Sequence, residues 1–349
     1  MSERLRAVVS TILSEENCAL IERLEPRIDL IRDQSLLRPQ RHPGDHSGDT
    51  SVGRSREDQQ RFEELIDSAE VLYGVPDESP AALKRAVNAN PGLRWVQTMP
   101  AGGGAHVKAA ELTQQQLDSI AFTTSAGVHA EPLAEFAVAG VFAGAKQLPR
   151  LLQQQRDRQW TGRWTLGLVS EQTVLVVGLG SIGRLTAKKL SALGARVVGV
   201  HRRIIEVEGV ERVYPMELLA DVAAEADAIV LCLPGTDATF EVVDDSVFSR
   251  MRPGATIINV GRGTVVDEAS MIRALTDGRL GFAMLDVFAV EPLPASSPLW
   301  SLSNVVIAPH TAALNSAEDR SIAKLFAENA RLFLDCKPMI NRVNTVEFY

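Results

Sequence analysis

Short apolar runs alternate with amphipathic stretches along most of the chain. In its first part, apolar runs that predict strands lie at residues 5–12, 28–31, 70–74, 93–98 and 120–124, and helical periodicity marks residues 14–24 and 111–117. Strands that alternate with helices are typical of a parallel sheet with helices on its faces. The pattern therefore predicts an α/β domain here.

The alternation is stronger in the second part. A long helical pattern at residues 131–157, which contains Pro149, precedes six apolar runs at residues 173–177, 197–200, 228–233, 256–260, 282–287 and 305–308. Helical stretches at residues 182–193, 216–224 and 268–276 separate several of them. Six apolar strands with short crossovers indicate a doubly wound sheet that is buried on both faces. A last helical pattern, at residues 316–334, is expected to dock on the first domain.

Residues 40–60 interrupt this pattern. The segment is rich in Gly, Ser, Asp and Arg and nearly lacks apolar residues, so it predicts a mobile loop. His42 and His46 lie beside Asp45 and Asp49, residue types that bind metals. A metal site needs a packed frame to hold its ligands. We therefore favour the loop interpretation and assign no metal ligands.

Composition narrows the class of protein. The 349 residues suggest about two domains, and 45% hydrophobic with 23% charged residues is an ordinary globular balance. A net charge of -8 disfavours nucleic-acid binding, which needs a basic face. Three scattered cysteines without a CxxC pair disfavour disulfides and zinc.

No membrane helix is expected, because the longest charge-free apolar stretch is only residues 136–145. The N-terminal residues lack the apolar core of a signal peptide, so we expect a cytoplasmic protein.

A glycine pattern marks a candidate dinucleotide site. Gly178, Gly180 and Gly183 form GxGxxG between a predicted strand and a predicted helix, the context that this motif requires. The first glycine permits a tight turn, the second lets a pyrophosphate approach the backbone, and the third lets helix and strand pack closely. The N–H groups at the start of that helix are suited to bind phosphates. A tight turn without a ligand is the alternative.

The end of the next strand bears on the choice of cofactor. NAD enzymes usually carry a carboxylate there, but this chain has His201, Arg202 and Arg203. A guanidinium pairs with a 2′-phosphate, whereas a carboxylate repels it. The sequence therefore predicts NADP rather than NAD, with Arg202 the first candidate and Arg203 the second. A solvated basic turn is the alternative.

Three reactive side chains follow the carboxyl ends of predicted strands, the edge where ligands bind in open α/β sheets. They are Arg262, Glu291 and His310. An arginine can clamp a carboxylate, a histidine can protonate a carbonyl oxygen, and a carboxylate beside that histidine can orient it. Taken singly, each could instead be an ion pair, a turn residue or a structural loop residue. Together they predict reduction of a 2-oxo acid.

The motifs GLGSIG, LCLPGT, MRPGATIINVGRGTVVDE, LDVFAVEPLP and NVVIAPH also resemble, in order and spacing, those of the D-isomer-specific 2-hydroxyacid dehydrogenase family. The resemblance is clearest over residues 131–312 and weaker elsewhere. It implies a Rossmann-type dinucleotide-binding domain at residues 131–312. It also implies a smaller flavodoxin-like substrate domain, at residues 1–130 with 313–349, a cleft between the two and a homodimer.

The resemblance also implies roles for individual residues. Arg262 would bind the substrate, His310 would be the acid/base and Glu291 its partner, while Asp286 would orient the nicotinamide carboxamide. The loop PAGGGAHV resembles the substrate loop of the family, and its backbone N–H groups can grip a carboxylate; the alternative is a flexible turn. The proposed substrate contacts are Ala101, Gly102, Gly103, Arg262 and His310. The proposed cofactor contacts are Gly178, Gly180, Ser181, Ile182, Gly183, His201, Arg202, Arg203, Leu233, Pro234, Thr239, Val260, Gly261 and Asp286.

The leading hypothesis is an NADPH-dependent reductase of small 2-oxo acids, with glyoxylate and hydroxypyruvate as substrates by resemblance. One alternative is a cofactor-sensing binding protein similar to the corepressors that share the fold. Another is a dehydrogenase of phosphite or of a larger 2-hydroxy acid.

Overall fold

The computed structural model describes residues 4–346 and residue 348. The chain divides into two compact units. One contains the chain through His129 together with the chain from Leu314 onward, and the other contains Ala130–Ala313.

The first unit is built on a five-stranded parallel sheet. Its strands are β1 (Leu5–Val9), β2 (Ile28–Ile31), β3 (Val71–Tyr73), β4 (Trp95–Gln97) and β5 (Ala121–Thr123). Their order, β2-β1-β3-β4-β5, is that of a flavodoxin-like domain, the class that the family resemblance implies. All neighbouring pairs are parallel, so the carboxyl ends of the strands share one edge.

Helices cover both faces of this sheet. They are α1 (Glu15–Leu24), α2 (Arg56–Asp67), α3 (Pro80–Ala89), α4 (Gly104–Ala109), α5 (Gln114–Ser119) and the C-terminal α12 (Glu318–Leu334), numbered along the chain. Ser14 caps the start of helix α1, because its hydroxyl accepts a hydrogen bond from Asn17 N at 3.3 Å and so satisfies an N–H of the first turn. Helix α12 packs against α1 and buries Ile322 and Phe326 in the same core as the sheet, which confirms the predicted docking.

The second unit is built on a seven-stranded parallel sheet in the order β12-β11-β10-β9-β6-β7-β8. Its strands are β6 (Thr173–Val177), β7 (Arg196–Val200), β8 (Arg212–Tyr214), β9 (Ala228–Leu231), β10 (Ala255–Asn259), β11 (Leu280–Leu285) and β12 (Val305–Ile307). Its helices are α6 (Ala130–Ala145), α7 (Leu148–Arg156), α8 (Ser181–Ala192), α9 (Leu219–Ala223), α10 (Asp245–Phe248) and α11 (Glu268–Thr276). The strand order reverses between β6 and β9, so the carboxyl edge beside β6 is where a Rossmann sheet binds its ligand.

Several predicted element boundaries are wrong. The sheet has seven strands rather than six, because β8 is a three-residue edge strand that is only partly buried and lacks a long apolar run. The helical pattern at residues 131–157 is two helices. Gln147 adopts a left-handed φ of 48° between them, and Pro149 occupies the first turn of α7, where a missing N–H costs nothing. The sequence patterns also miss helices α2, α3, α4 and α10.

The polar segment of the first unit differs from its prediction as well. Residues 40–55 form neither helix nor strand, but residues 56–60 begin α2, so the expectation of a mobile loop is wrong for them. Residues 40–55 are held by polar contacts rather than by an apolar core. Asp45 is buried and accepts hydrogen bonds from the Arg41 guanidinium at 2.8 and 2.9 Å, and the Thr11 hydroxyl, just beyond β1, donates to the His46 carbonyl.

None of the helices in the described part of the chain combines the length and the apolar character needed to cross a membrane.

Candidate active site

The glycine turn after β6 has the shape that a dinucleotide site needs. Gly178 has φ +93°, which side chains rarely adopt, and a Cβ at Gly183 would lie 1.9 Å from the Gly178 carbonyl oxygen. A Cβ at Gly180 would meet no heavy atom within 4 Å, so this position faces open space at the start of α8. Because no side chain caps α8, the N–H groups of Ser181, Ile182 and Gly183 are left to bind a phosphate. The residues present therefore fit a dinucleotide.

The strand ends beside this turn are closely packed. Leu233 is buried, and its backbone oxygen would lie 2.5 Å from a Cβ at Gly261. The carbonyl of Pro234 accepts a hydrogen bond from the Thr239 hydroxyl at 2.6 Å, which fixes the loop after β9. Val260 is also buried. Most of these residues thus contribute to the site through their backbone atoms.

A cluster of positive charge follows β7. Arg202 and Arg203 are exposed, and with Arg184 they surround His201. Partial burial, followed by the charges of these three arginines, lowers the pKa of His201 below its ordinary value. Its Nδ1 accepts a hydrogen bond from Leu179 N at 3.4 Å, so the neutral ring carries its proton on Nε2. This corner of the sheet offers several donors and no carboxylate from the end of β7.

The imidazole of His310 and the carboxylate of Glu291 form a direct pair. His310 Nδ1 lies 2.7 Å from Glu291 Oε2, and the two side chains are 48% and 34% exposed. Glu291 Oε1 accepts a hydrogen bond from Phe288 N at 2.9 Å, so both carboxylate oxygens are held. The glutamate therefore fixes the ring with a proton on Nδ1 and leaves Nε2 for a substrate.

Asp286 builds the loop that presents His310. It is buried, and its Oδ1 accepts hydrogen bonds from Thr311 N at 2.8 Å and Ala312 N at 2.9 Å. The His310 amide donates to the Asp286 carbonyl at 3.0 Å. These bonds support the left-handed φ of 53° at His310. This positioning role was not among the sequence predictions, and a contact of Asp286 with the cofactor stays a prediction.

Arg262 follows β10 and is exposed. Its Nη1 donates to the Gly261 carbonyl at 2.7 Å. The Asn259 side chain holds the turn, since its Oδ1 accepts from Gly261 N and its Nδ2 donates to the Arg262 carbonyl, both at 3.0 Å. Within residues 4–346 and residue 348, no carboxylate forms an ion pair with Arg262. The guanidinium is thus oriented but not neutralised, as a site for an anionic ligand requires.

Gly235 packs directly on Arg262. A Cβ at Gly235 would lie 3.2 Å from Arg262 Cγ and 3.3 Å from its Cβ. The sequence drew attention to this glycine only through its place in LCLPGT. The contact joins the loops after β9 and β10, and such spatial neighbours leave no signal in a single sequence.

The predicted substrate loop lies in the first unit, after β4. The amides of Ala105 and His106 donate to the carbonyls of Gly102 and Gly103 at 3.0 and 3.1 Å, which forms the turn that leads into α4. A Cβ at Gly103 would lie 1.7 Å from the Thr98 hydroxyl oxygen, so this tight turn requires glycine. Ala101 and Gly102 are exposed in it.

The comparisons with known proteins agree with one another. The family of D-isomer specific 2-hydroxyacid dehydrogenases, through its NAD binding domain, matches residues 138–312. A glyoxylate reductase of Korarchaeum cryptofilum is 34% identical over 254 residues, which cover 70% of this chain and 74% of that protein. A glyoxylate reductase/hydroxypyruvate reductase of Mus musculus is 31% identical and covers 74% of this chain and 79% of its own. A D-isomer specific 2-hydroxyacid dehydrogenase of Xanthobacter autotrophicus Py2, solved in complex with NADPH and MES, has a TM-score of 0.76 at 27% identity and covers 100% of both chains.

A Rossmann sheet with a glycine turn and a paired histidine and glutamate at its carboxyl edge defines a dinucleotide-dependent oxidoreductase. The chain belongs to the D-isomer specific 2-hydroxyacid dehydrogenase family, and its activity is that of an NAD(P)-dependent 2-hydroxyacid dehydrogenase.

Proposed function

We propose that this enzyme reduces small 2-oxo acids such as glyoxylate and hydroxypyruvate and prefers NADPH. The observation that carries the chemistry is the 2.7 Å pair of His310 and Glu291, on the same sheet edge as Arg262, which forms no ion pair with a carboxylate of the described residues. The substrate class is supported by the relatives named glyoxylate reductase.

In this proposal each side chain has one task. Arg262 binds the carboxylate of the 2-oxo acid, and the exposed Ala101 and Gly102 offer backbone N–H groups to the same carboxylate. The predicted contact through Gly103 N–H is wrong, because Gly103 is buried and its N–H donates to the Pro100 carbonyl at 3.1 Å. His310 donates its Nε2 proton to the carbonyl oxygen, while Glu291 holds the remaining proton on Nδ1. The glycine turn after β6 and the basic residues after β7 would hold the dinucleotide, whose nicotinamide would supply a hydride for the carbonyl carbon. The product is the 2-hydroxy acid.

The preference for NADPH is supported by the basic end of β7. Arg202 and Arg203 can pair with a 2′-phosphate, and His201 can donate from Nε2. The Xanthobacter relative was solved with NADPH. A charged hydrogen bond is worth about 1.5–3 kcal/mol, so losing one should lower kcat/KM for NADPH roughly 10-fold to 100-fold.

The test is an initial-rate panel that crosses several 2-oxo acids with NADPH and NADH. We expect reduction of glyoxylate or hydroxypyruvate with higher kcat/KM for NADPH. Arg202→Gln should reduce that value with NADPH and leave NADH unaffected, and Lys188→Gln, an exposed cation on α8 paired with Glu208, is the control. A clear preference of the wild type for NADH would contradict the cofactor assignment, and failure to reduce any 2-oxo acid would contradict the substrate class.

The proposal includes a homodimer. Five large apolar side chains on α6, on α7 and just after α7 are exposed, and exposed apolar side chains in one region are typical of a protein interface. They are Phe142, Leu148, Leu151, Leu152 and Trp160. Light scattering should give twice the chain mass of 37.9 kDa, and a monomer at micromolar concentration would contradict this part. The predicted cytoplasmic location also stays a prediction.

A further inference from the structure

A second set of titratable side chains lies in the first unit, and the proposed chemistry does not use it. Its centre is Glu318, the buried first residue of α12. One oxygen of this carboxylate, Oε1, lies 2.9 Å from His129 Nε2 and 3.3 Å from His46 Nε2. His46 Nδ1 lies 3.9 Å from Asp319 Oδ1. Three distant parts of the chain thus meet at one carboxylate.

Glu78 connects this centre to the loop after β4. It ends the short turn Pro76–Glu78 that follows β3, its side chain is only 10% exposed, and its Oε2 lies 3.7 Å from His106 Nδ1. The turn is held in place, since Asp77 accepts two hydrogen bonds from the Arg54 guanidinium at 2.9 Å. We call Glu78, His46, His106, His129 and Glu318 the Glu78 network.

The Glu78 network is buried but only partly hydrogen-bonded. Within the described residues, seven polar atoms of the network or its neighbours are buried without a hydrogen-bond partner: Arg38 Nε, His46 Nδ1, Tyr73 OH, Glu78 Oε1, His106 Nδ1, Glu318 Oε2 and Asp319 Oδ1. Groups held in this way are sensitive to the charge of their neighbours, because the interior screens charge less than water does.

Charged and titratable side chains face the network from every element around it. They are Arg38 just before the polar segment, Arg54 within it, Tyr73 of β3, Asp77 of the turn, His106 of α4, His129 after β5, and Glu318 and Asp319 of α12. Burial lowers the pKa of His46, but Glu318, Asp319 and Glu78 outweigh it and raise the pKa above its ordinary value. Burial raises the pKa of Glu78 to about 7, although the charge of His46 opposes this.

The Glu78 network is next to the Ala101–Gly103 loop, which we propose binds the carboxylate of the substrate. The His106 amide donates to the Gly103 carbonyl at 3.1 Å, so the residue that faces Glu78 also closes the turn that contains Ala101–Gly103. In the proposed function this loop binds an anion through backbone N–H groups, and a negative charge one turn away weakens such binding.

We propose that Glu78, coupled to His46 and His106, controls how tightly the Ala101–Gly103 loop binds the carboxylate of the substrate. When Glu78 is neutral, it adds no negative charge near the Ala101–Gly103 loop. When Glu78 ionises, its charge repels the substrate anion, so KM rises while kcat, set by His310, does not. Glu78 is a positioning residue in this account. The role of the loop rests on the proposed function, whereas the coupling within the network does not.

The first experiment measures KM and kcat for the preferred 2-oxo acid from pH 5.5 to 8.5. In the wild type, KM should rise above pH 7 by roughly 4-fold to 15-fold, the effect of a unit charge about 10 Å away at an effective dielectric constant of 20 to 40. Glu78→Gln is the neutral form at every pH, so its KM should stay low and nearly flat, and Glu78→Asp should restore the rise. Glu64→Gln, on the exposed face of α2, is the control. An equal rise in wild type and Glu78→Gln would overturn the proposal, as would a KM raised at every pH.

The second experiment does not depend on turnover. Proton NMR of the histidine rings in the full-length protein should show an inflection near pH 7 shared by His46 and His106, and Glu78→Gln should remove it. If the wild type reduces no 2-oxo acid, the proposed function fails and the network is judged on this readout alone. Histidines that titrate identically in both proteins would overturn the coupling.

Discussion

The two sheet edges that carry charged side chains differ in how their residues come together. In the second unit, Arg262, Glu291 and His310 each follow a strand of one sheet by three to six residues. In the first unit, the Glu78 network joins side chains as far apart as His46 and Glu318, which are separated by 272 positions. His310 is 48% exposed, whereas the His46 side chain is 9% exposed. The exposed pair can act on a substrate, and the buried set can act only through its neighbours.

This difference predicts that a change at the exposed pair affects turnover most. His310→Gln should lower kcat roughly 10²-fold to 10⁴-fold, the usual range for loss of acid–base catalysis, with little change in KM for the 2-oxo acid. The fold should persist, because the side chain is half exposed. His42→Gln, an exposed histidine of the first unit, is the control. Steady-state kinetics decide this, and near-normal kcat would remove His310 from the mechanism.

A smaller effect is expected where the second unit orients its arginine. Gly235→Ala would place a methyl group 3.0 Å from the Thr264 hydroxyl oxygen and 3.2 Å from Arg262 Cγ, so these two side chains must yield by a few tenths of an ångström. Overpacking of this kind costs about 1–3 kcal/mol, and we expect kcat/KM for the 2-oxo acid to fall roughly 10-fold. A Cβ at Gly162 would meet no atom within 4 Å, so Gly162→Ala is a matched control. Unchanged kcat/KM in Gly235→Ala would show that this contact does not hold Arg262.

The smallest expected effect is on stability, and it concerns the first unit. A carboxyl with a folded pKa of about 7, against 4.5 when unfolded, binds its proton more tightly in the folded state. Its favourable contribution is complete below pH 4.5 and is lost as pH rises through 7. The raised pKa of His46 acts in the same sense, with a contribution complete below 6.5 and lost as pH rises through its higher folded value. Glu318, whose pKa is lowered to about 2, is ionised throughout this range.

The unfolding temperature should therefore fall between pH 6 and pH 8. A loss on the order of 1–3 kcal/mol corresponds to a few degrees for a unit of this size. Glu78→Gln should flatten the fall, and Glu64→Gln should not. Calorimetry over this pH range measures it, and a Tm that is constant in the wild type would contradict the assigned charges.

The sequence predicts what is local. The glycine turn at Gly178 and the residues that follow strands could be located because a strand, a turn and a reactive side chain are adjacent in the chain. The support for His310 could not, since Asp286 reaches the amides of Thr311 and Ala312 from 25 and 26 positions away. Edge strand β8 was missed because it has only three residues, one exposed and two partly buried, and pairing with β7 is what makes them a strand.

The most direct test of the central claim is a crystal structure of the enzyme with NADPH and oxamate, a 2-oxo acid analogue that is not reduced. We predict that the Arg262 guanidinium binds the oxamate carboxylate and that His310 Nε2 lies within hydrogen-bonding distance of its carbonyl oxygen. Oxamate bound by other side chains, with His310 Nε2 turned away from it, would contradict the account.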